Sequence, residues 1–235
     1  SLHNSTSFSQ NSIITESYAY REVINYVCEQ LNPAKIVQMG AFDLGIYFSI
    51  CTFVKERQLQ SELLLVDDLK GNAKDGLWGE DITNGILEYN NQNFSSTSHI
   101  LLKSFPQAAN EFEDGYADLL IISAANIDPS VFFDGVISKL SSKGLVVITS
   151  LNTSAIAQEQ AWEWRKKVNT YFNLSFSQFG GLIILYPQKA APKGLRDSLG
   201  LLQQKSFFDK LFSSGISDYY KIITARTQDK LKSLS

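Results

Sequence analysis

The strongest constraint on this chain is a repeating alternation of short, unbroken apolar runs with longer amphipathic stretches. The runs Lys35-Ile36-Val37-Gln38-Met39, Leu63-Leu64-Leu65-Val66, Ile100-Leu101-Leu102, Leu119-Leu120-Ile121-Ile122 and Leu145-Val146-Val147-Ile148-Thr149 are each too short for a core helix. Apolar on successive residues, they suit strands covered on both faces, as in a parallel sheet. Helical patterns fall between them, over 16–31, 44–59, 81–92, 106–112, 129–140 and 155–172. Asn32-Pro33 stops the first, and Asp128-Pro129 supplies a cap and first-turn proline for the fifth. Two further strands, near 174–178 and 182–186, flank Gly180-Gly181 and read as an antiparallel hairpin. The expected fold is α/β, a mostly parallel doubly wound Rossmann-like sheet with a C-terminal antiparallel hairpin. No internal repeat is visible.

At 235 residues, 44 % of them hydrophobic, the chain can bury one large core. Residues 189–235 hold nine Lys or Arg against four Asp or Glu, so the +5 there leaves −8 for residues 1–188 in a chain of net −3. This asymmetry, with the linker-like Gln188–Gly194 stretch, divides the chain into a polar, disordered lead-in over 1–15, an α/β domain over 16–188 and a basic, helical extension over 189–235. In the extension Leu199, Leu202, Phe208, Leu211 and Phe212 would give a helix one apolar face. A net charge this small gives no argument for nucleic acid. No run approaches the roughly 20 apolar residues of a membrane-spanning helix, and the N-terminus lacks the pattern of a secretion signal. Cys28 and Cys51 sit in apolar patterns without a CxxC pair or a histidine cluster. They read as buried thiols in a reducing, cytoplasmic setting, with no metal site.

Ligands of open α/β sheets bind at the carboxyl ends of the strands, near the reversal of strand order. That places a site on the loops after Met39, Val66, Leu102, Ile122 and Ile148. In Gly40-Ala41-Phe42-Asp43-Leu44-Gly45, two glycines allow close backbone approach before a helix N-terminus. Asp67 and Asp68 end the second strand, where an acid accepts hydrogen bonds from ribose hydroxyls; a turn or cap role is the alternative. A dinucleotide site is disfavoured because Gly-x-Gly-x-x-Gly is absent. Trp78 could stack on a base or anchor its loop. Trp162, Trp164, Tyr171 and Phe172 read mostly as core, with one ring left for a sugar or a partner, Arg165-Lys166-Lys167 as a solvated face, and His99 as a strand-edge residue.

The segments Lys35–Gly40 with Gly45, Leu65-Val66-Asp67-Asp68-Leu69-Lys70-Gly71-Asn72 and Gly76-Leu77-Trp78-Gly79 resemble the class I S-adenosylmethionine-dependent methyltransferases fused to, or encoded beside, glycosyltransferases of surface-polysaccharide synthesis. The resemblance runs from about residue 20 to 187. It implies S-adenosylmethionine as cofactor, held through Gly40, Phe42, Gly45, Asp67, Asp68 and Ser104. It also implies an acceptor that is a glycan or related to a nucleotide sugar, and a glycosyltransferase as partner or fused domain. Several positions depart from the family pattern. Gln38 stands for the first-motif acid, Ser123 and Asn126 for an Asp and a His after the fourth strand, and Thr149-Ser150 for His-Asp after the fifth. Methyl transfer to a hydroxyl needs a base or a positioned oxygen. Ser123 and Asn126, the catalytic candidates that remain, are poor bases and weak ligands for a hard cation. The expectation is a methyltransferase-like domain with impaired catalysis. A non-catalytic scaffold of the same fold is the alternative, and a Rossmann-like enzyme acting on a nucleotide sugar ranks last.

Overall fold

The computed structural model describes residues 13–72, 76–105, 107–153, 156–187 and 191–234. Residues 1–12 of the expected lead-in lie outside the described residues. Ile13–Thr15 are described and bond to the domain, as set out below.

A single 3-10 turn, Glu16–Tyr20, opens the described chain, capped by Thr15, whose hydroxyl accepts from the Ser17 amide at 3.2 Å. It runs into α1 (Arg21–Leu31), which ends where Asn32 takes a left-handed conformation, φ +47°. Then follow β1 (Lys35–Met39), α2 (Leu44–Glu56), β2 (Glu62–Val66), the two-residue strands β3 (Gly71–Asn72) and β4 (Gly76–Leu77), α3 (Glu80–Phe94), β5 (Ser98–Leu101) and a 3-10 turn over Gln107–Glu111. β6 (Ala117–Ser123) leads to α4 (Pro129–Asp134), capped by Asp128, and β7 (Leu140–Thr149) to α5 (Gln158–Val168). β8 (Phe172–Phe176) and β9 (Leu182–Tyr186) precede α6 (Lys193–Gly200) and the long α7 (Lys205–Ser233).

The main sheet has seven strands in the order β5-β2-β1-β6-β7-β9-β8. The first five are parallel; β9 runs antiparallel to both β7 and β8. In β1, Ile36 lies opposite Leu63 and Leu119, and Met39 opposite Val66 and Ile122, so the strands that carry the candidate loops end level with one another. Side chains alternate between two cores. Ile36, Leu63, Leu65, Leu119, Ile121, Leu145 and Val147 face α1, α2 and α3. Val37, Met39, Val66, Leu120, Ile122, Val146 and Ile148 face α4 and α5, where Phe132 and Trp164 are fully buried. In β1, β6 and residues 145–148 of β7 apolar side chains line both faces because both are covered.

Several expected boundaries move, three of them with a visible cause. The helix expected over 129–140 stops at Asp134, since Gly135 leaves helical geometry at φ −139°, and a 3-10 turn over Val136–Lys139 carries the chain to β7. The fifth strand, expected from Leu145, begins at Leu140, so Gly144 lies inside β7. A Cβ there would come within 2.6 Å of Leu140 and 3.1 Å of the Ala117 oxygen, beside a shift of register between Ala117 and Leu119. A glycine within a strand marks such an irregularity. The helix expected over 155–172 is confined to α5, because Asn169 caps it and the chain turns into β8.

The basic C-terminal region folds back on the first core. Leu199, Leu202, Phe208 and Phe212 are buried there and Leu211 packs against it. The ring centroid of Phe208 lies 4.5 Å from that of Phe176 in a stacked pair, and Phe212 lies 4.8 Å from Tyr20. Arg21 of α1 pairs with Asp218 of α7. From Thr227 onward α7 stands clear of the body, its side chains exposed.

Candidate functional site at the carboxyl ends of the strands

α2, which follows β1, packs on the first core, whereas α4, which follows β6, packs on the second. The winding therefore reverses between the neighbouring strands β1 and β6, and their carboxyl ends open the crevice where such sheets bind ligands. Gly40 sits at its floor with φ +96°, a conformation that glycine adopts without strain, and its amide donates to the Val66 oxygen at 2.8 Å. A Cβ on Gly40 would lie 3.6 Å from the Phe42 ring and 3.7 Å from Asn126 Nδ2, so three candidates from two loops meet here.

The two acids that end β2 separate in role. Asp67 turns toward the first loop: Oδ2 accepts from the Ala41 amide at 2.8 Å and Oδ1 from the Leu69 amide at 2.6 Å. Burial raises its pKa, and those two amides pull against the rise. A carboxylate has about four acceptor positions, so two protein donors leave it capacity for ribose hydroxyls. Asp68 instead closes its own turn, accepting from the Lys70 amide at 3.1 Å.

Other candidates serve the frame. Ser123 is buried; its hydroxyl accepts from the Ala125 amide at 3.3 Å and its carbonyl from the Asn126 amide at 3.0 Å, building the turn that presents exposed Asn126. Ser104 bonds to the 3-10 turn after β5, its hydroxyl donating to Gln107 Oε1 at 3.1 Å and its carbonyl accepting from the Ala108 amide at 3.2 Å. Thr149 donates inward to the Ile122 oxygen at 3.3 Å. Ser150, at φ +66°, lies 3.4 Å from Thr149 and 3.5 Å from Ser17, hydroxyl to hydroxyl. Trp78 packs against the first core as a loop anchor, and exposed His99 lies on edge strand β5. Cys28 and Cys51 are buried free thiols, their pKa values pushed up to about 12 by burial.

Gly45 faces the chain itself. A Cβ there would come within 2.5 Å of Ile14 Cγ2 and 2.7 Å of the Tyr18 ring. The Ile13 carbonyl accepts from the Leu44 amide at 2.9 Å and the Gly45 amide at 3.4 Å. Asp43, which sequence reading did not single out as a site residue, is fully buried beneath this segment. Its Oδ2 accepts from the Thr15 amide at 2.7 Å and the Thr15 hydroxyl at 2.9 Å, while Oδ1 caps α2 through the Ile46 amide at 2.9 Å. An Asp directly before a helical pattern is the signal that could have flagged the cap. Gln38, in place of the first-motif acid, donates from Nε2 to the Gly40 and Asp43 oxygens, both at 3.1 Å. A neutral amide can do this; a carboxylate would face two carbonyl oxygens.

Among the described residues no group of three or more His, Cys, Asp or Glu is placed to hold a metal ion. A cavity of about 370 Å³ lies toward the amino ends of β6 and β7, lined by Gln107, Asn110, Val131, Val136, Ser138 and Lys139, away from Asp67.

No protein-family model matches the chain. It is 27 % identical over 174 residues to y4gI of Sinorhizobium fredii, described as an uncharacterized protein; the match takes in 72 % of this chain and 19 % of that protein. Among solved structures, a candidate caffeoyl-CoA O-methyltransferase from Staphylococcus aureus superposes with TM-score 0.52 at 14 % identity, over 70 % of this chain and 81 % of its own. A methyltransferase from Geobacter sulfurreducens gives 0.51 at 10 %, over 70 % and 77 %. The O-methyltransferase TomG from Streptomyces achromogenes, solved with S-adenosylmethionine, gives 0.51 at 7 %, over 70 % and 78 %. The chain has the Rossmann-like methyltransferase fold.

Proposed function

We propose that this domain binds S-adenosylmethionine in the crevice between β1 and β6, as a methyltransferase-like unit with impaired catalysis in glycan or polysaccharide synthesis. The observation that carries the reading is Asp67, set at the carboxyl end of β2 beside Gly40 and held by two amides with acceptor capacity left over. Gly40 leaves its loop open to a ligand, with Phe42 and Asn126 as walls. The motif resemblance from Leu65 to Gly79 and the cofactor of the TomG structure support the same ligand. The bound cofactor would supply an electrophilic methyl group on sulfur.

The chain's own part is to orient an acceptor hydroxyl and take its proton. Ser123 and Asn126 offer hydrogen bonds but no group that titrates near neutral pH, and Thr149 and Ser150 are turned inward. This supports slow or absent turnover. The acceptor class that fits the resemblance is a glycan or a compound related to a nucleotide sugar, with a glycosyltransferase as partner or fused domain and a cytoplasmic setting. Among the described residues no helix is long and apolar enough to cross a membrane. The chain spans about a fifth of the length of y4gI, consistent with one unit of a larger protein. The inward bonding of Thr149 and Ser150 also favours a second reading, a scaffold that keeps the fold without the reaction.

Isothermal titration with S-adenosylmethionine and S-adenosylhomocysteine tests the proposal. Micromolar binding that drops at least tenfold in Asp67→Ala is expected. Folded protein that gives no heat with either compound would leave the scaffold reading in its place.

A further inference from the structure

Resting on that reading, we infer that the site as folded accepts a nucleoside without a charged amino-acid tail, and that residues Ile13–Tyr18 must withdraw before such a tail can enter. A ligand laid from Asp67 across Gly40 reaches the first turn of α2. There free backbone amides and the helix dipole would receive a negative end. In this chain those donors are taken. The Leu44 and Gly45 amides bond to the Ile13 carbonyl, and the Ile46 amide bonds to Asp43. The same segment also fills the space: Ile14 and Tyr18 lie against Gly45, closer than any side chain there would allow.

The plug is braced from behind. Ser17 meets Ser150 at the end of β7, Tyr20 bonds the Gln178 carbonyl, and Gly215 of α7 presses on the Ala19 oxygen. The Asp67 end of the crevice has no such cover among these contacts. An incoming carboxylate would thus meet an acid, Asp43, and a helix end without vacant amides, while a ribose would find its acceptor in place.

The test compares adenosine with S-adenosylhomocysteine by isothermal titration on the full chain and two variants. Gly45→Ala places a methyl group where Ile14 and Tyr18 now sit, in a helix that tolerates alanine well. Thr15→Val removes the hydroxyl that bonds Asp43 from a second direction. The full chain should bind the two compounds with dissociation constants within about threefold of each other. Both variants should tighten S-adenosylhomocysteine by roughly tenfold and leave adenosine unchanged. If the full chain binds S-adenosylhomocysteine far more tightly than adenosine, and neither variant improves it, the plug is refuted and the cofactor reading stands. If no protein in the set binds either compound while circular dichroism shows it folded, the cofactor reading itself falls, and the inference with it.

Discussion

At Asp43 burial and hydrogen bonding pull in opposite directions. Its carboxyl is out of contact with water, which drives its pKa up to about 7, while the Thr15 and Ile46 donors hold it down. In the unfolded chain the same group ionises near 3.8. Between these values the folded state holds a proton that the unfolded state has released. Stability from this group is therefore complete below about pH 4 and is lost as pH rises to about 7, with a limiting slope of roughly 1.4 kcal/mol per pH unit. Urea midpoints measured from pH 4 to pH 8 should show that decline, and Asp43→Asn should flatten it; an equal decline in the variant would acquit Asp43. At this scale the sequence was readable where chemistry and position coincide. Gly40 and Asp67 stand at the ends of apolar runs, where the turn's positive φ requires the one and the Ala41 and Leu69 amides hold the other. The burial of Asp43 was hidden, because the Thr15 contact that creates it spans 28 residues and leaves no periodic trace.

Among the elements, α7 shows how a single missing side chain sets a helix's place. A Cβ on Gly215 would lie 2.0 Å from the Ala19 carbonyl oxygen, so only glycine lets the helix backbone approach the 3-10 turn this closely. Gly215→Ala improves the helix in isolation yet forces it off its seat. We expect a loss of about 1–3 kcal/mol in chemical denaturation, with far-UV dichroism still helical. A gain in stability would mean that α7 docks less tightly than the contact implies. The strands of the main sheet were visible as apolar runs because a strand covered on both faces cannot hide its composition. The break after Asp134 was less visible, since Gly135 and Asp128-Pro129 are compatible with either a short helix or a long one. The apolar face of the C-terminal helix could be read, but not what it meets: the partners Tyr20 and Phe176 lie far away in sequence and carry no complementary signal.

For the molecule as a whole, β1, β6 and β7 lie inside the sheet with apolar side chains on both faces, whereas β5 and β8 form its edges. Native-state hydrogen exchange should reflect this. Amides of Val37, Ile121 and Val147 should open only with global unfolding, and those of β5 and β8 orders of magnitude sooner. Comparable protection at centre and edge would show that the sheet opens as one unit. Fold class was legible at this scale because alternating strands and helices leave few topologies. The content of the crevice was not, because it depends on where two distant segments come to rest. α7 is made after every strand that it helps to enclose, yet it presses on Ala19, near the start of the described chain. During synthesis the sheet and its crevice can therefore form while the segment from Ile13 to Tyr20 still lacks one of its braces, the Gly215 contact. A nascent chain would pass through a period in which that segment is held by Ser150 and Gln178 without α7, and the arrival of the last helix would end it.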